Sequence, residues 1–229
     1  TRILGELRKL GIHLSRQTVK NILVEAGLTP DPGDQSSDDS WEAFLKRHAD
    51  TLWQCDFLSK PMLTMKGFIP LYLLVFIHLG TRRIWISPST AHPDSAWVSQ
   101  QARNFLQHAD DIDLPVKTVM RDNDAKFRLT GFDGVIEGNG AKIKRTTPMS
   151  PNLRAHVERL IQTIKHGVLN YFVIVGPRHL NYITRHAMAW YNGERPHSSR
   201  DHLPPAFEKP PEPQVSLNMS EVVCTTRLG

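Results

Sequence analysis

The amino-acid sequence predicts an α/β domain in which helices flank a mixed five-stranded sheet. Three apolar segments with short connections come first, and segments with helical and strand-like spacing then alternate. Short connections favour antiparallel neighbours, whereas strands separated by helices favour parallel pairing, so both kinds of pairing are expected in one sheet. The 229 residues, 40% of them hydrophobic, suffice for one such domain and a small additional module.

A small helical module is predicted before this domain. Apolar residues at helical spacing indicate a short first helix, and Ser15 is a suitable N-cap for a second helix that Gly27 ends. The pair predicts a partial helix-turn-helix over residues 1–28, whose second helix presents Arg16 and Lys20 outward for DNA contact. A plain helical hairpin with a solvated polar face explains the same pattern, and both interpretations stay open.

The remaining boundaries follow from composition. Residues 29–40 contain no large apolar residue and are therefore a predicted linker. The predicted core follows over residues 41–200, and the proline-rich segment 201–229 is expected to be an extended tail. Because the chain opens at Thr1 without a methionine, in the middle of a helical pattern, we expect it to be a fragment of a longer protein.

The core is predicted to begin with a meander of three antiparallel strands. Side chains alternate over residues 51–58, which places Asp56 inside a largely apolar strand. The apolar run 68–79 predicts a buried second strand, and residues 82–87 predict the third. The apolar run is too short to cross a membrane, because a spanning helix needs roughly 20 residues.

Helices and strands are predicted to alternate after the meander. A helix is expected over residues 93–107, with Pro93 at its first position. A fourth strand over 116–121 delivers Asp122 at its carboxyl end, and a fifth follows over 142–146 after a glycine-rich segment. Two more helices complete the core, one that carries Glu158 after a proline turn and one over residues 178–192.

Three carboxylates from separate elements are expected to converge. A sheet can bring Asp56 and Asp122 side by side, and a helix can lay Glu158 across the ends of their strands. Oxygen ligands of this kind suit Mg²⁺ or Mn²⁺, and two such ions held between carboxylates promote in-line attack on a phosphodiester. Each acid taken singly is equally well explained as a turn, cap or solvated helix residue.

Basic residues surround these acids in the sequence. The net charge of +5 and the pI of about 9.3 fit a polyanionic partner such as nucleic acid, but many proteins without one are as basic. The basic residues near the acids are Lys142, Lys144, Arg145, Arg154, Arg159 and Lys165. They either contact DNA phosphates or form a basic surface that only water solvates.

Three segments resemble the acidic motifs of the DDE integrases and transposases, the retroviral-integrase-like catalytic cores found in bacterial insertion sequences. They are Trp-Gln-Cys-Asp-Phe at 53–57, Arg-Asp-Asn-Asp-Ala-Lys-Phe at 121–127, and the segment 150–159 that runs from Ser-Pro to Glu-Arg. The segment 191–197, Tyr-Asn-Gly-Glu-Arg-Pro-His, is similar to the Tyr-Asn-x-x-Arg-Pro-His signature of those bacterial transposases. The resemblance covers about residues 1–207.

The resemblance implies a ribonuclease H-like fold and metal-dependent cleavage and strand transfer at the DNA ends of a mobile element. It makes Asp56, Asp122 and Glu158 the catalytic residues and the ligands of two Mg²⁺ (or Mn²⁺) ions. Lys165 matches a basic position that contacts DNA near the active site. The implied partners are double-stranded DNA, both element ends and target, and further copies of the chain. The implied location is the bacterial cytoplasm near the nucleoid, with no membrane partner.

The sequence departs from the family pattern around two of the acids. Arg121 and Asp124 flank the second motif, and Arg154 stands where the family usually carries asparagine or glutamine. Arg154 lies one helical turn before Glu158, so it can pair with that acid and compete with metal, or it can bind phosphate. Two other functions therefore stay open: a hydrolytic ribonuclease H-like nuclease, and a catalytically silent DNA-binding protein of the same fold.

Overall fold

The structure is a computed structural model, and it describes residues 15–26, 47–128, 131–146, 154–200 and 202–208. The chain divides into two units, Thr1–Ala43 and Phe44–Gly229. The first predicted helix, the predicted linker and most of the proline-rich tail lie outside the described residues.

The described part of the first unit is one helix, α1, over Arg16–Glu25. The Ser15 hydroxyl oxygen accepts the backbone N–H of Thr18 at 3.0 Å, which confirms Ser15 as the N-cap. Gln17 and Asn21 are exposed on this helix, and half of the Ile22 surface is exposed as well.

Five strands of the second unit form one mixed sheet in the order β3-β2-β1-β4-β5. β2 pairs antiparallel with both β1 and β3, whereas β4 pairs parallel with both β1 and β5. This arrangement confirms the predicted meander and the predicted mixed sheet. The strands are β1 Leu52–Thr64, β2 Gly67–His78, β3 Ile84–Ile86, β4 Thr118–Arg121 and β5 Lys142–Arg145.

The first strand is longer than predicted. β1 continues past residue 58 to Thr64, because β2 supplies backbone partners as far as the Thr64–Gly67 pair. A tight hairpin closes this pair, and Gly67 adopts a φ of 113° that favours glycine. The alternation of polar residues beyond Leu58 hid this extension, since an exposed hairpin arm carries no continuous apolar signal.

In the described part of the second unit, five α-helices accompany the sheet, and two of them were not predicted. The helix expected to begin at Pro93 begins at Ser95, because the Asp94 carboxylate caps it by accepting the Trp97 N–H at 2.8 Å. The glycine-rich segment between the fourth and fifth strands contains two short helices, where the sequence indicated only a loop. The helices are α2 Ser95–Asp111, α3 Ala125–Arg128, α4 Phe132–Gly138, α5 Ala155–Gly167 and α6 Pro177–Gly193.

Each face of the sheet is covered by its own apolar core. On one face, α5 and α6 bury residues such as Leu160 and Ile183 against β1, β2 and β3. On the other face, α2 and the two short helices bury an aromatic cluster that includes Phe105, Phe127 and Phe132. Alternation along β1 explains this division, because Trp53 faces the aromatic cluster and Leu58 faces the opposite core.

None of the helices in the described part of the chain has the length and apolar character needed to cross a lipid bilayer.

Candidate active site

The pairing of β1 with β4 brings the first two predicted acids together. Gln54 lies opposite Met120 in this parallel pair. Asp56 and Asp122 each follow two residues later, so they lie at matching positions. Parallel strands keep their register, and both carboxylates therefore reach the same region of the sheet. Asp122 is the first residue after β4, whereas Asp56 lies within β1. One Asp56 oxygen accepts the Phe57 N–H at 2.8 Å, which fixes that carboxyl group.

A buried glutamine holds helix α5 over these strands. The Gln54 side-chain oxygen accepts the backbone N–H of Val157 at 3.1 Å, and the Gln54 side chain is only 1% exposed. The first turn of a helix has N–H groups without partners inside the helix, so this acceptor satisfies one of them. Glu158 is the next residue, and Gln54 therefore fixes the turn that carries the third predicted acid. The role of Gln54 was not predicted.

All three predicted carboxylates converge on one guanidinium group. Arg154 forms an ion pair through Nη2 with Oδ2 of Asp56. Its Nη1 lies 3.5 Å from Oδ2 of Asp122, and its Nε lies 4.0 Å from Oε1 of Glu158. Arg154 occupies the N-cap position of α5 without capping the helix through its side chain. The predicted pairing of Arg154 with Glu158 is thus one of three such contacts.

The charge balance at this point leaves a deficit of positive charge. Burial raises the pKa of Asp56 to about 6, although Arg154 lowers it, and the nearby Asp122 raises it further. The Arg154 guanidinium thus does not offset the burial of the Asp56 carboxylate. The Nε of Arg154 is itself buried without a hydrogen-bond partner. The environment is one in which a cation of higher charge is favoured over a monovalent one.

The donor set fits Mg²⁺ or Mn²⁺ in its chemistry, because carboxylate oxygens are the preferred ligands of these hard cations. The three carboxylates are arranged around Arg154 rather than around a common vacant point. Accordingly, no group of three or more acidic, histidine or cysteine side chains in the described ranges is arranged to hold a metal ion. Metal coordination by Asp56, Asp122 and Glu158 therefore requires Arg154 to leave.

A second buried arginine fixes the segment that carries Asp122. The Arg121 side chain is fully buried and binds Asp133 through two hydrogen bonds, Nε to Oδ1 at 2.7 Å and Nη2 to Oδ2 at 2.5 Å. Its Nη1 donates to the backbone oxygen of Asp122 at 2.6 Å, and its guanidinium lies over the Phe127 ring. Arg145 adds a bond to Asp133 at 2.9 Å. This cluster was not predicted, although Arg121 was noted as a departure from the family pattern.

The comparisons with known proteins agree with this geometry. Residues 139–205 match the integrase core domain family. Over these residues, which include Glu158 but neither Asp56 nor Asp122, the chain is similar to that family. No curated protein is similar enough in sequence to match the chain.

Solved structures of integrases have the same fold as this chain. A chain of the simian T-cell lymphotropic virus intasome in complex with the PP2A regulatory subunit B56 gamma superposes with a TM-score of 0.53 at 14% identity, over 78% of this chain. The match spans only 60% of that viral chain. The HTLV-2 integrase catalytic core domain in complex with magnesium, in its dimeric form, gives a TM-score of 0.51 at 18% identity, over 69% of this chain and 94% of the viral one. The expected ribonuclease H-like integrase fold is confirmed.

Asp124, two residues after Asp122, forms a local turn. One Asp124 oxygen accepts the Lys126 backbone N–H at 3.0 Å, and the other lies 3.0 Å from the Lys126 ammonium group. The backbone N–H of Asp124 donates to Oδ1 of Asp122 at 3.1 Å. Lys126 lowers the pKa of Asp124 through these bonds, and this outweighs the effect of burial, which raises it. Asp124 is therefore a turn residue that orients Asp122, as the sequence favoured.

The predicted DNA-contacting residues lie at different distances from the acids. Lys165 lies in the last turn of α5, on the same face as Glu158, and Arg159 follows Glu158 directly and is exposed. Lys144 is half-buried in β5. Lys142 lies opposite Thr118 at the start of β5, about 10 Å of strand away from the end that Asp122 follows.

The other basic residues of the prediction do not all face the acids. Arg145 is bound to Asp133, so an acid already accompanies it. Arg16 and Lys20 belong to α1 in the first unit, and their side chains lie outside the described part of the structure.

The Tyr-Asn-x-x-Arg-Pro-His segment anchors the end of α6 to the sheet. The Asn192 amide accepts the backbone N–H of Ile84 at 2.9 Å and donates to the backbone oxygen of the same residue at 3.0 Å. This amide thus acts as an additional strand partner at the β3 edge. Beyond it, the Arg195 guanidinium lies over the Tyr191 ring, and the rings of Tyr191 and His197 meet edge to face.

Proposed function

We propose that this integrase core cuts and joins DNA strands at the ends of a mobile element, as a polynucleotidyl transferase. In this proposal Asp56, Asp122 and Glu158 are the catalytic residues and the ligands of two Mg²⁺ or Mn²⁺ ions. One observation carries the proposal: three acids from two strands and one helix of an integrase fold meet at a single cation. When bound, the two ions activate a water or 3′-hydroxyl nucleophile and stabilise the leaving oxygen.

The residues of the chain supply the orientation that such chemistry needs. Gln54 fixes the helix turn before Glu158, and Arg121 fixes the backbone at Asp122. Asp56 lies within a strand, and the Phe57 N–H donates to its carboxylate. The carboxylates are thus held by the scaffold before substrate arrives, so little reorganisation is required of two of the three ligands.

Arg154 is proposed to exchange partners when metal and DNA bind. Its guanidinium lies where the three carboxylates would hold metal, so a divalent ion bound there would repel it. A DNA phosphate would offer Arg154 another anion, because guanidinium groups bind phosphate through paired hydrogen bonds. Arg154 would therefore hold the carboxylates in the free protein and the DNA backbone in the complex.

Double-stranded DNA is the proposed partner, and further copies of the chain are expected in the complex. Lys165 shares the Glu158 face of α5, which makes it the basic residue best placed to contact DNA near the acids. The proposal extends DNA contact to five more basic residues. They are Arg159, Lys142, Lys144, Arg16 and Lys20.

The proposal is tested with a duplex that carries the terminal repeats of the element, incubated with the protein, a target duplex and Mn²⁺. The wild-type chain is expected to yield joined products, and Asp122→Asn is expected to lower their yield by at least about a hundredfold, typical of loss of a transition-state charge contact. Asp124→Asn is the matched control, because asparagine keeps the turn. Joining that survives Asp122→Asn unchanged would show the ligand assignment to be wrong.

A second candidate is a DNA-binding protein of the same fold without catalysis. The ion pairs of Arg154 with all three acids favour it, because they neutralise part of the charge that would attract metal. The same assay separates the candidates. DNA binding without cleavage under Mg²⁺ or Mn²⁺ assigns the silent protein, and cleavage without joining assigns a hydrolytic nuclease.

A further inference from the structure

A cavity of about 540 Å³ lies between the first turns of α5 and the segment that follows α6. We call it the arginine cavity. It is on another side of α5 from Glu158, because Ala155, His156 and Arg159 line it. Six of its lining residues carry basic side chains: Arg82, His156, Arg159, Arg195, His197 and His202.

The positive charge of the arginine cavity is not neutralised by the described residues. None of the side chains that line it is acidic. Among the ion pairs in the described ranges, none involves Arg82, Arg159 or Arg195. Three guanidinium groups thus share one concave surface without a carboxylate, and two of them, those of Arg82 and Arg195, are partly buried, where an acidic partner is usual.

The arginines are held in place by neutral groups. Arg82 Nη1 lies 2.7 Å from Nδ1 of His156, and Arg195 Nη1 lies 3.2 Å from Nε2 of His197. A guanidinium has no acceptor, so each imidazole must accept the hydrogen bond and remain neutral. Burial, together with the neighbouring arginines, lowers the pKa of His156 and of His197 to about 4. The arginines are therefore positioned for a ligand and not for a protein acid.

The lining of the arginine cavity has the chemistry of a phosphate site. Arginine forks match the oxygen spacing of phosphate, and the hydroxyl groups of Ser198 and Ser199 add further donors to the same wall. The volume suffices for a nucleotide-sized group. The cavity and Glu158 share the first two turns of α5, so both lie within about one helix diameter, 10–12 Å, of each other.

We propose that the arginine cavity binds a phosphate group of the DNA backbone. This inference rests on the proposed function for the identity of the ligand, but its anion chemistry does not depend on catalysis. The bound strand would continue from the carboxylates around α5 to the cavity. Within the Tyr-Asn-x-x-Arg-Pro-His segment, Arg195 and His197 would then take part in phosphate binding, whereas Asn192 stabilises the edge of the sheet at Ile84.

The first experiment measures thermal unfolding of the whole chain with inorganic phosphate and with chloride at equal ionic strength. A ligand that binds only the native state stabilises it, so phosphate is expected to raise the melting temperature of the wild-type chain by several degrees. Arg82→Gln and Arg195→Gln are each expected to remove this difference. Arg103→Gln, which removes an exposed arginine on α2, is the matched control and should keep it.

The second experiment measures binding of a random-sequence duplex by fluorescence anisotropy over a range of salt concentrations. Each lost phosphate contact lowers the slope of log K against log salt by about 0.9. Arg82→Gln is expected to show this change, and Arg103→Gln is not. Arg195→Lys keeps the positive charge, so it should keep the salt slope. Circular dichroism checks that every variant is folded, so that a changed slope is not caused by unfolding.

The outcomes separate the sources of the phosphate. A DNA backbone site is supported if the cavity variants lose the stabilisation by phosphate and also show the reduced salt slope. Loss of the phosphate effect with an unchanged slope overturns the DNA assignment in favour of a small phosphorylated ligand. A wild-type chain that responds equally to phosphate and chloride overturns the site itself. Asp122→Asn should preserve both responses, so failure of the catalytic proposal is distinguishable from failure of this one.

Discussion

Replacing Asp133 by asparagine is expected to destabilise the second unit strongly. The change leaves the Arg121 guanidinium, whose side chain is 0% exposed, without its carboxylate partner. Breaking a buried ion pair from one side costs about 3–5 kcal/mol, because the remaining charge stays buried and unpaired. Asp133 itself is 20% exposed, which places the expected loss near the lower end, about 3 kcal/mol.

Thermal and urea unfolding followed by circular dichroism measure this loss. In a domain of this size about 1 kcal/mol corresponds to a shift of about 2–4 °C in melting temperature, so roughly 6–12 °C is expected. Arg145→Gln is the control: it binds the same carboxylate, but its side chain is 60% exposed, and its loss should cost at most about 1 kcal/mol.

The double variant Arg121→Met/Asp133→Leu provides a further check. Replacing both partners of a buried pair by apolar side chains is often neutral, so this variant should recover most of the stability that Asp133→Asn loses. The reasoning is refuted if the free energy of unfolding of Asp133→Asn lies within about 1 kcal/mol of the wild-type value, or if Arg145→Gln is the more destabilising of the two changes.

Two further predictions concern Gln54 and His197. Gln54→Leu leaves the buried Val157 N–H without an acceptor, so it should cost about 1–3 kcal/mol in urea unfolding and lower DNA cleavage; unchanged values for both would contradict the proposed positioning role. The native pKa of His197 is lowered to about 4, so between pH 6.5 and about 4 the unfolded chain binds a proton that the native chain does not. Stability should therefore fall as pH drops through this window, and His197→Gln should make the fall shallower in melts at pH 7 and pH 5; an identical fall in both proteins would exclude His197 as the cause.

The sheet could be predicted from the sequence because its signals are local. Apolar runs and alternation identified the strands, and the short connections identified the meander. The position of Asp56 within a strand and of Asp122 at a strand end followed from the same signals. Periodicity also placed Glu158 and Lys165 on one face of a helix.

The elements that were missed depend on contacts between distant or weakly patterned segments. The two short helices α3 and α4 are too brief to show periodicity, and buried Phe127 and Phe132 hold them through tertiary packing. Asp94 was overlooked as a cap because the preceding proline is also a common helix-start signal.

The supports of the candidate site were missed for a similar reason. Gln54 and Val157 are separated by 103 residues, and no local pattern identifies such a pair. Arg121 and Asp133 are 12 residues apart and lie on different elements, so only the fold shows that they meet. Arg154 is intermediate: its spacing from Glu158 was visible, but its contacts with Asp56 and Asp122 required the pairing of β1 with β4.

The central claim is that the acids around Arg154 form a divalent-metal site, and titration of Mn²⁺ followed by electron paramagnetic resonance tests it most directly. Wild-type chain is expected to bind Mn²⁺, Asp122→Asn to bind it at least about tenfold more weakly, equivalent to about 1.4 kcal/mol, and Asp124→Asn to bind it as wild type does. Arg154→Gln, which removes the competing cation, should bind Mn²⁺ more tightly than wild type. Equal Mn²⁺ affinity in the wild-type chain and Asp122→Asn, or weaker binding in Arg154→Gln, would contradict the account.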